Sequence, residues 1–480
     1  MNGLLEKITS ITADSRQVTE GGMFVAIAGV KQDGRQFIQS AIEKGASVIV
    51  VPKGTHITQS GIEIIEVENP RAYLAQAAAI FYGVQPETIV TVTGTNGKTS
   101  TVNFVREIWK NLGLKSASLG TLGLIGDGLD DYSGMTTPDP VALHQSLKLL
   151  ADKGFSYLAM EASSIGIEQN RLDGVRISAA GFTNLTRDHL DYHGSMEDYL
   201  QSKLHLFSHL LDSDGIAIVN ADTNEYARIK EACNTRGIAC WGYGQNGSEI
   251  NLISREVLPH GQVLNLEVLG QKYSVMLPLV GEFQAMNALC ALGLVLANTA
   301  FQTSQIVDML GRLSGVPGRL QQVPGNNEDY AVYVDYAHTP DALDNILKAL
   351  RPHTTGRLIC LFGCGGDRDT GKRPVMGEIS TRLADVSIVT DDNPRSEDPQ
   401  KIRKQILEGA QNDAIEIDGR RNAIRQAVQM LCSGDVLVLA GKGHEQGQTF
   451  ATHTEPFDDV LEAQQALKIK LSSQENSSSF

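Results

Sequence analysis

Short apolar runs alternate with helical patterns along most of the chain. In the first 85 or so residues the apolar runs are MFVAIAG, ASVIVVP and IEIIEV, which predict a small α/β domain. A second series of predicted strands covers 87–94, 155–160, 177–184 and 215–222. A third series, after residue 330, consists of AVYVDYA, RLICLFG, DVSIVTD and DVLVLAG. Strands that alternate with helices are typical of parallel sheets, and the third series predicts a Rossmann-like, doubly wound sheet.

These series predict a three-domain α/β protein with a short tail. A chain of 480 residues is too long for one hydrophobic core, because domains usually hold about 100–200 residues. The stretch 313–330 is rich in Gly, Pro and polar residues, which indicates a boundary. We predict a small N-terminal domain at 1–85, a central domain at 86–313, a C-terminal doubly wound domain at 314–470 and a flexible tail at 471–480.

Charge and composition limit the classes of function. A net charge of -15 leaves no broad basic face, which argues against a nucleic-acid partner while allowing a small anionic ligand. None of the six cysteines forms a CxxC pair, so we expect buried, reduced thiols. The N-terminal residues do not resemble a signal peptide, and no apolar run approaches the roughly 18 residues of a membrane span. We therefore expect a soluble, cytoplasmic protein without a membrane partner.

Polar or glycine-rich clusters follow the predicted strands of the second and third domains. In open parallel sheets, ligands bind beyond the carboxyl ends of the strands. Both domains are therefore predicted to present a ligand-binding edge, and a cleft between the two edges is the expected site.

The most specific cluster is TGTNGKTS, which lies between a predicted strand and an amphipathic helix. This context predicts a P-loop ATPase-like central domain that binds phosphate through backbone N–H groups and a helix N-terminus. Lys98 would reach the β- and γ-phosphates, and the Thr99 hydroxyl would bind Mg²⁺. The spacing between the two glycines is shorter than in the usual Walker motif. The candidate phosphate-binding residues are Gly94, Thr95, Asn96, Gly97, Lys98, Thr99 and Ser100.

Glu161 and His189 each follow a predicted strand of the same domain. A carboxylate and an imidazole beside a phosphate-binding loop can hold a divalent cation. The alternative is that each residue is structural or simply exposed. A zinc pair of His189 and His193 is a weaker interpretation, because no third ligand lies nearby in the sequence.

Charged residues also follow the strands of the third domain. Arg368 and its basic neighbours are predicted to bind an anion, with a solvated charged loop as the alternative. The segments Asp392–Arg395 and Gly441–Glu445 combine a guanidinium, an amide and carboxylates, which suits a zwitterionic amino acid. The residues themselves indicate an ATP- and Mg²⁺-dependent enzyme with a carboxylate-rich cosubstrate, and they do not name the reaction.

A series of short motifs runs in order through the whole chain except the tail. It consists of Asp14–Arg16, Asp33–Arg35, TGTNGKTS, Thr136–Asp139, Glu161–Ser164, Asn184–Gly194, Tyr199 with Lys203, Gly315–Arg319, Asp335–Pro340, GCGGDRD, DNPR and GKGHE. In this order the motifs closely resemble those of the Mur ligase family. The resemblance implies an ATP- and Mg²⁺-dependent carbon–nitrogen ligase of peptidoglycan precursor synthesis. It would add meso-diaminopimelate to UDP-MurNAc-L-Ala-D-Glu through an acyl phosphate, and we expect it to act as a monomer.

The resemblance also implies roles for single residues. The catalytic residues would be Lys98, Glu161, His189 and Lys203, of which Lys203 matches a lysine that is carbamylated by CO₂. Thr99, Glu161, His189 and the carbamylated Lys203 would serve the metal. Nucleotide contacts beyond the P-loop would come from Asn287, Arg319, Asp335 and His338. The UDP-linked substrate would meet Ser15, Thr136, Thr137, Ser163, Gln169 and Arg171, and diaminopimelate would meet Arg368, Asp392, Asn393, Pro394, Arg395, Gly441 and Glu445. From the residues alone, Lys203 would be an ordinary surface lysine.

The amino-acid substrate depends on Arg395. Lysine-adding relatives typically lack this arginine, because L-lysine has no second carboxylate, so the intact DNPR favours meso-diaminopimelate. The alternatives are an L-lysine-adding ligase, a related folate-polyglutamate ligase and, in another class, a non-catalytic nucleotide-binding regulator or scaffold. Ile165 and Val30 depart from the family pattern, in which histidine is common at both positions.

Overall fold

The computed structural model describes residues 1–29, 32–57, 61–131, 135–325, 330–411 and 414–477. The chain divides into two compact units. The first comprises Met1–Ile253, Leu266–Tyr273 and Met286–Leu310, and the second comprises Ser254–Asn265, Ser274–Ala285 and Gly311–Phe480. Within the described ranges, no helix has the length and apolar character needed to cross a membrane.

The first unit begins with a small parallel sheet. Its strands are β1 (Ile11–Thr12), β2 (Met23–Val25), β3 (Val48–Pro52) and β4 (Glu63–Val67), in that order. Its helices are α1 (Asn2–Leu5), α2 (Ile38–Glu43) and α3 (Pro70–Tyr82). Helix α3 begins where Asn69 accepts hydrogen bonds from two backbone N–H groups, and it ends at Gly83. The three predicted strands of the N-terminal segment are thus confirmed as β2, β3 and β4.

A second sheet has eleven strands in the order β15-β14-β13-β12-β11-β10-β5-β9-β6-β7-β8. The strands are β5 (Thr88–Thr93), β6 (Ser116–Gly120), β7 (Gly123–Gly126), β8 (Leu129–Asp131), β9 (Tyr157–Glu161), β10 (Ile177–Phe182), β11 (Leu211–Asn220), β12 (Ala239–Gly244), β13 (Ile250–Leu258), β14 (Gly261–Val268) and β15 (Gln271–Leu277). The helices between Lys98 and Leu310 are α4 (Lys98–Asn111), α5 (Pro140–Asp152), α6 (Ser164–Glu168), α7 (Leu190–His193), α8 (Met196–His205), α9 (Tyr226–Thr235), α10 (Glu282–Leu296) and α11 (Thr303–Leu310).

The four strands predicted for the central segment are neighbours at the middle of this sheet. They form the run β9-β5-β10-β11, and each neighbouring pair is parallel. The sequence pattern did not predict β6, which pairs in parallel with β9, the antiparallel strands β7 and β8, or the outer strands β12 to β15. Strands β13 and β15 are largely half-buried or exposed, so they lack the continuous apolar runs by which the central strands were predicted.

The second unit contains a sheet in the order β16-β17-β21-β18-β19-β20. Its strands are β16 (Gln321–Gln322), β17 (Ala331–Asp335), β18 (Leu358–Phe362), β19 (Val386–Val389), β20 (Ile415–Glu416) and β21 (Val436–Ala440). A short hairpin, β22 (Gly447–Thr449) and β23 (Thr454–Pro456), follows β21. The helices are α12 (Pro340–Leu350), α13 (Lys372–Leu383), α14 (Pro399–Leu407), α15 (Arg420–Gln429) and α16 (Asp459–Ser477).

This sheet is doubly wound. Strands β17 to β21 pair in parallel, and β16 is an antiparallel edge strand. Two separate hydrophobic clusters bury alternate residues of the central strands: Cys360 belongs to one cluster and Ile359 to the other. The four predicted strands of the C-terminal segment are confirmed as the neighbours β17, β21, β18 and β19.

Two expectations differ from the structure in detail. Helix α16 runs to Ser477, into the segment predicted as a flexible tail. Its sequence holds no glycine or proline to end the helix. All six cysteines are free, but Cys432 is exposed and Cys240 half-buried, so the expectation of buried thiols is wrong for Cys432.

Candidate active site

The predicted phosphate-binding loop joins β5 to α4, which is the strand–loop–helix context expected from the sequence. Gly94 and Gly97 have φ angles of +147° and +87°, which L side chains rarely adopt. A Cβ atom on Gly97 would collide with the side-chain oxygen of Asn287, and a Cβ atom on Gly94 would collide with the Thr183 hydroxyl. The structure thus brings Asn287, from α10, against the loop. Both glycines are required by backbone conformation and by close packing.

The segment after β10 holds the loop in place. The Thr95 and Asn96 backbone N–H groups donate to the Asn184 backbone oxygen (2.9 Å) and to its Oδ1 (3.0 Å), respectively. The Thr183 hydroxyl donates to the Asn96 carbonyl at 2.6 Å. Asn184 belongs to one of the motifs quoted from the sequence, where it had no assigned role. In the structure it accepts from two backbone N–H groups of the loop and so holds the loop conformation.

Two lysines meet at the start of this loop. Lys98 Nζ donates to the carbonyls of Gly94 and Thr95, both at 2.8 Å. Lys203 Nζ donates to the Gly94 carbonyl at 2.9 Å and lies 4.3 Å from the Tyr199 ring centroid. Lys203 is only 1% exposed, so the alternative of an ordinary surface lysine is wrong. Burial, followed by the nearby Lys98 charge, holds the pKa of Lys203 well below its usual value, which favours the neutral amine.

Glu161 lies at the end of β9 and is 1% exposed. Its Oε1 accepts hydrogen bonds from the Thr99 hydroxyl at 3.0 Å and from the Thr121 N–H at 2.7 Å. The Thr121 hydroxyl donates to Oε2 at 3.3 Å. A buried carboxylate next to the P-loop threonine is a donor set that suits a hard divalent cation. Thr121, just past β6, was missed because the sequence pattern did not predict that strand.

His189 and His193 have different surroundings. The His189 side chain is 50% exposed, and its Nε2 lies 3.6 Å from Asp188 Oδ2. His193 is buried: its Nε2 contacts the Ser164 hydroxyl at 2.9 Å and its Nδ1 lies 3.2 Å from Glu168 Oε2. Burial lowers the pKa of His193. In the described residues, no three His, Cys, Asp or Glu side chains are placed to hold a metal, and both nitrogens of His193 are engaged elsewhere.

The residues expected to meet the UDP-linked substrate form one connected group near Glu161. The group consists of Thr136, Thr137, Ser163, Gln169 and Arg171. The Thr137 hydroxyl donates to the Glu161 carbonyl at 3.0 Å and accepts from the Ser163 N–H at 3.0 Å. Arg171 donates to the Thr137 carbonyl at 2.6 Å. Burial lowers the pKa of Arg171.

Three of the named positions stand apart from this group. Ser15 is buried in a one-turn 3-10 helix that Asp14 caps, next to β1. Ile165 lies in α6, one residue after Ser164, and is half-buried. Val30 lies outside the described residues.

The second unit brings Arg319, Asp335 and His338 around Tyr336. Asp335 is buried at the end of β17, and its carboxylate accepts from the N–H groups of Leu320 (2.7 Å) and Ala337 (2.8 Å). Burial raises the pKa of Asp335. The Tyr336 ring lies 5.1 Å from the Arg319 guanidinium carbon, and its centroid is 4.7 Å from that of His338. Tyr336, which lies within one of the motifs quoted from the sequence, thus contacts both Arg319 and His338, a role that the motif alone did not predict.

The predicted amino-acid pocket gathers the loops after β19 and β21. Asn393 Nδ2 donates to Glu445 Oε2 at 2.8 Å, and a Cβ atom on Gly441 would lie 2.7 Å from Asp392 Oδ2. Arg395 has a φ of +51° and donates to the Gly366 carbonyl at 2.9 Å, which holds its guanidinium beside the GCGGDRD loop.

Arg368, in that same loop, is exposed, and its Nη1 donates to the Asp367 carbonyl at 3.2 Å. Pro394 lies between Asn393 and Arg395 in the DNPR segment, which follows β19. Sequence reasoning missed Lys442, a buried residue at the centre of this group.

The loop between β5 and α4 resembles a P-loop, and a buried carboxylate lies beside it. Together with the α/β fold and its doubly wound C-terminal sheet, these features are typical of a nucleotide-dependent enzyme. Three family models match the chain in order. They are "Mur ligase family, catalytic domain" at residues 7–82, "Mur ligase middle domain" at 92–295 and "Mur ligase, glutamate ligase domain" at 318–443.

Full-length relatives match as well. UDP-N-acetylmuramoyl-L-alanyl-D-glutamate--2,6-diaminopimelate ligase of Caulobacter vibrioides is 50% identical over 467 residues, which is 96% of each chain. The ligase of the same name from Rhizobium meliloti is 49% identical and covers 96% of this chain and 94% of its own. The chain belongs to the Mur ligase family, and it is an ATP-dependent ligase, as the sequence predicts.

Solved structures agree with this assignment. A structure of UDP-N-acetylmuramoyl-L-alanyl-D-glutamate--2,6-diaminopimelate ligase matches with a TM-score of 0.75 at 32% identity, covering 97% of this chain and 95% of the other. The MurF ligase of Thermotoga maritima in complex with ADP has a TM-score of 0.62, with 99% and 100% of the two chains covered. At 18% identity, the latter shows the fold alone. The predicted three-domain α/β architecture is confirmed.

Proposed function

We propose that this ligase adds meso-diaminopimelate to UDP-MurNAc-L-Ala-D-Glu with ATP, in peptidoglycan precursor synthesis. One observation carries the choice of amino acid. Arg395 is present beside the GCGGDRD loop, and Asn393 of the same DNPR segment donates to Glu445. A guanidinium fork suits the second carboxylate of diaminopimelate, which L-lysine lacks. The names of the relatives from Caulobacter vibrioides and Rhizobium meliloti support the same choice.

The proposed chemistry has two steps. The side-chain carboxylate of D-Glu attacks the γ-phosphorus of ATP, giving an acyl phosphate and ADP, because a free carboxylate is a poor electrophile for an amine. The amine of diaminopimelate then attacks the acyl carbon, an amide forms and phosphate leaves. Lys98 and the loop N–H groups neutralise the charge that develops on the transferring phosphoryl group.

The residues near Glu161 fit a divalent cation. Thr99 and Glu161 are hydrogen-bonded to each other beside the loop, and both carry oxygen atoms of the kind that Mg²⁺ prefers. We propose that Thr99, Glu161, His189 and a carbamylated Lys203 serve Mg²⁺, which neutralises phosphate charge when it is bound. The buried Lys203 supports this proposal, because a neutral amine is the form that reacts with CO₂.

We propose the remaining roles on the same grounds. Ser15, Thr136, Thr137, Ser163, Gln169 and Arg171 would bind the UDP-linked substrate. Asn287, Arg319, Asp335 and His338 would bind the nucleotide together with residues 94–100. Arg368, Asp392, Asn393, Pro394, Arg395, Gly441 and Glu445 would bind diaminopimelate. Because the substrates include ATP and a UDP-linked precursor, we infer a cytoplasmic enzyme, and we propose that it is a monomer.

The direct test measures ATP-dependent phosphate release with UDP-MurNAc-L-Ala-D-Glu and either meso-diaminopimelate or L-lysine. Mass spectrometry identifies the product, and a reaction without amine is the control. We expect phosphate release and a tripeptide product with diaminopimelate only. A preference for L-lysine would keep the ligase and reject the role of Arg395. Nucleotide binding without product from either amine would favour the non-catalytic regulator.

A further inference from the structure

Lys442 is a buried cation between the two loops of the proposed amino-acid pocket. Its side chain is fully buried, in contrast to the Glu445 side chain, which is 33% exposed. Lys442 Nζ donates to Asn393 Oδ1 at 3.0 Å, to Glu445 Oε2 at 3.1 Å and to the Gly447 carbonyl at 2.7 Å. Three acceptors use all three ammonium hydrogens. Lys442 is therefore not free to bind a ligand, and any function it has must act through these partners.

The contacts of Lys442 fix the orientation of both partners. Glu445 Oε2 accepts from Lys442 and from Asn393 Nδ2, at 3.1 and 2.8 Å. Asn393 Oδ1 accepts from Lys442 and from the Thr449 N–H, both at 3.0 Å. No hydrogen bond from a described residue reaches the other carboxylate oxygen, Glu445 Oε1. This oxygen is therefore available to a ligand ammonium group.

We propose that Lys442 is a positioning residue for the incoming amino acid. It holds Asn393 and Glu445 in one arrangement, with Glu445 Oε1 presented to an ammonium group of the amino acid. This inference rests on the proposed function, because it takes the loops after β19 and β21 as the site of a diamino acid. A preformed carboxylate binds an ammonium group more tightly than a mobile one, because less conformational entropy is lost on binding.

The test compares Lys442→Met with wild type in steady-state kinetics, varying each of the three substrates in turn. We expect the KM for meso-diaminopimelate to rise about 10- to 100-fold, as for loss of a charged hydrogen bond. The KM values for ATP and for the UDP-linked substrate should stay within about 2-fold of wild type. The kcat at saturating diaminopimelate should stay within about 3-fold, because the variant weakens binding of the amino acid equally in the ground state and in the transition state. A merely structural role would instead lower the folded fraction and leave the three KM values unchanged.

Lys470→Met is the matched control. Lys470 is also buried in the second unit, with 7% exposure, and its Nζ donates to the Gln429 carbonyl at 3.0 Å. None of its described contacts involves the loops after β19 and β21. All three KM values of this variant should equal those of wild type, because Lys470 resembles Lys442 in burial and chemistry but not in its partners.

Lys442→Gln guards against a failure of the methionine variant to fold, because glutamine keeps two donors and removes the charge. It should give a smaller rise in the same KM. An unchanged KM for diaminopimelate in a folded variant would overturn the proposal. Failure of both variants to fold would also overturn it, because Lys442 would then be required for stability. If wild type itself uses no diaminopimelate, the proposed function fails instead, so the two failures are distinguishable.

Discussion

At the scale of single residues, Lys203 shows how burial changes the ionisation of a lysine. An exposed lysine is protonated at neutral pH and does not react with CO₂. In this chain the amine is buried against Tyr199 and the Gly94 carbonyl, and no carboxylate lies within ion-pairing distance of it among the described contacts. Losing the proton removes the free-energy cost of a buried charge, and the neutral amine can then form a carbamate.

The lowered pKa of Lys203 predicts how stability depends on pH. Between the folded pKa and the ordinary value of 10.5, the unfolded chain binds a proton that the folded chain does not. The free energy of unfolding should therefore rise with pH in this window, by at most about 1.4 kcal/mol per pH unit. Urea denaturation of wild type and Lys203→Met in CO₂-free buffer at pH 7, 8 and 9 measures the effect. We expect wild type to gain stability relative to the variant as the pH rises.

Bicarbonate supplies the control for this prediction. A carbamate forms only on the neutral amine of the folded chain and releases its CO₂ on unfolding, so added bicarbonate should stabilise wild type relative to Lys203→Met at each pH. With ¹³C-labelled bicarbonate, a carbamate NMR signal should appear in wild type only. Parallel pH profiles for the two proteins without CO₂ would contradict the assignment of a lowered pKa.

At the scale of elements, the loop between β5 and α4 depends on glycine for two separable reasons. Gly97 and Gly113 have similar φ angles, +87° and +81°. Gly97 packs against Asn287, whereas a Cβ atom on Gly113 would have no neighbour within 4 Å. We expect Gly113→Ala to cost about 1–2 kcal/mol of stability from backbone strain alone. Gly97→Ala should also displace Asn287 and lower kcat/KM for ATP about 100-fold.

Urea denaturation and steady-state kinetics on both glycine variants separate the two effects. Gly113→Ala should keep the wild-type kcat/KM for ATP, because Gly113 follows the far end of α4. An equal loss of activity in both variants would mean that strain, not contact with Asn287, determines the effect of the substitution.

A fully buried ion pair connects α15 to α16, the last helix of the second unit. Arg420, at the start of α15, donates to Asp459 Oδ1 and Oδ2 at 2.7 and 2.6 Å, and both side chains are 0% exposed. Asp459→Asn would leave a buried guanidinium without its counter-charge. We expect a loss of about 3–5 kcal/mol in the free energy of unfolding, measured by urea denaturation.

A neighbouring pair on the same two helices provides the comparison. Arg421 Nε lies 2.8 Å from Glu462 Oε1, but the Arg421 side chain is 48% exposed. The Glu462 side chain is only 10% exposed, but solvent reaches the Arg421 guanidinium and can compensate its charge, so Glu462→Gln should cost about 1 kcal/mol, less than Asp459→Asn. Similar losses in the two variants would show that burial of the Arg420 pair is not the cause of its effect.

Elements and site residues were not equally predictable from the sequence. The buried parallel strands and the P-loop were predicted because each leaves a local pattern, an apolar run or a spaced set of glycines. The burial of Lys203 was not predicted, because a lysine eight residues into a polar helix carries no local sign of what packs on it. Tyr336 and Lys442 were missed for a similar reason. Their partners come from distant segments, such as His444 for Tyr336 and Asn393 for Lys442.

At the scale of the whole molecule, the residues with proposed roles are distributed over both compact units. Lys98 belongs to the first unit and Arg395 to the second. If the enzyme acts as a monomer, one chain must supply both groups. Lys98→Ala should abolish turnover because phosphoryl transfer loses its main cation, and Arg395→Ala should abolish use of diaminopimelate because one carboxylate loses its partner.

An equimolar mixture of the two variants tests this expectation. A monomer has no means of combining the intact Arg395 of one chain with the intact Lys98 of another, so the mixture should be as inactive as each variant alone. Mixing either variant with wild type should leave the wild-type rate per wild-type chain unchanged. Recovery of activity in the mixture would mean that an active site is built from two chains. The reaction would then have to be assigned to an oligomer in which one subunit supplies Lys98 and another supplies Arg395.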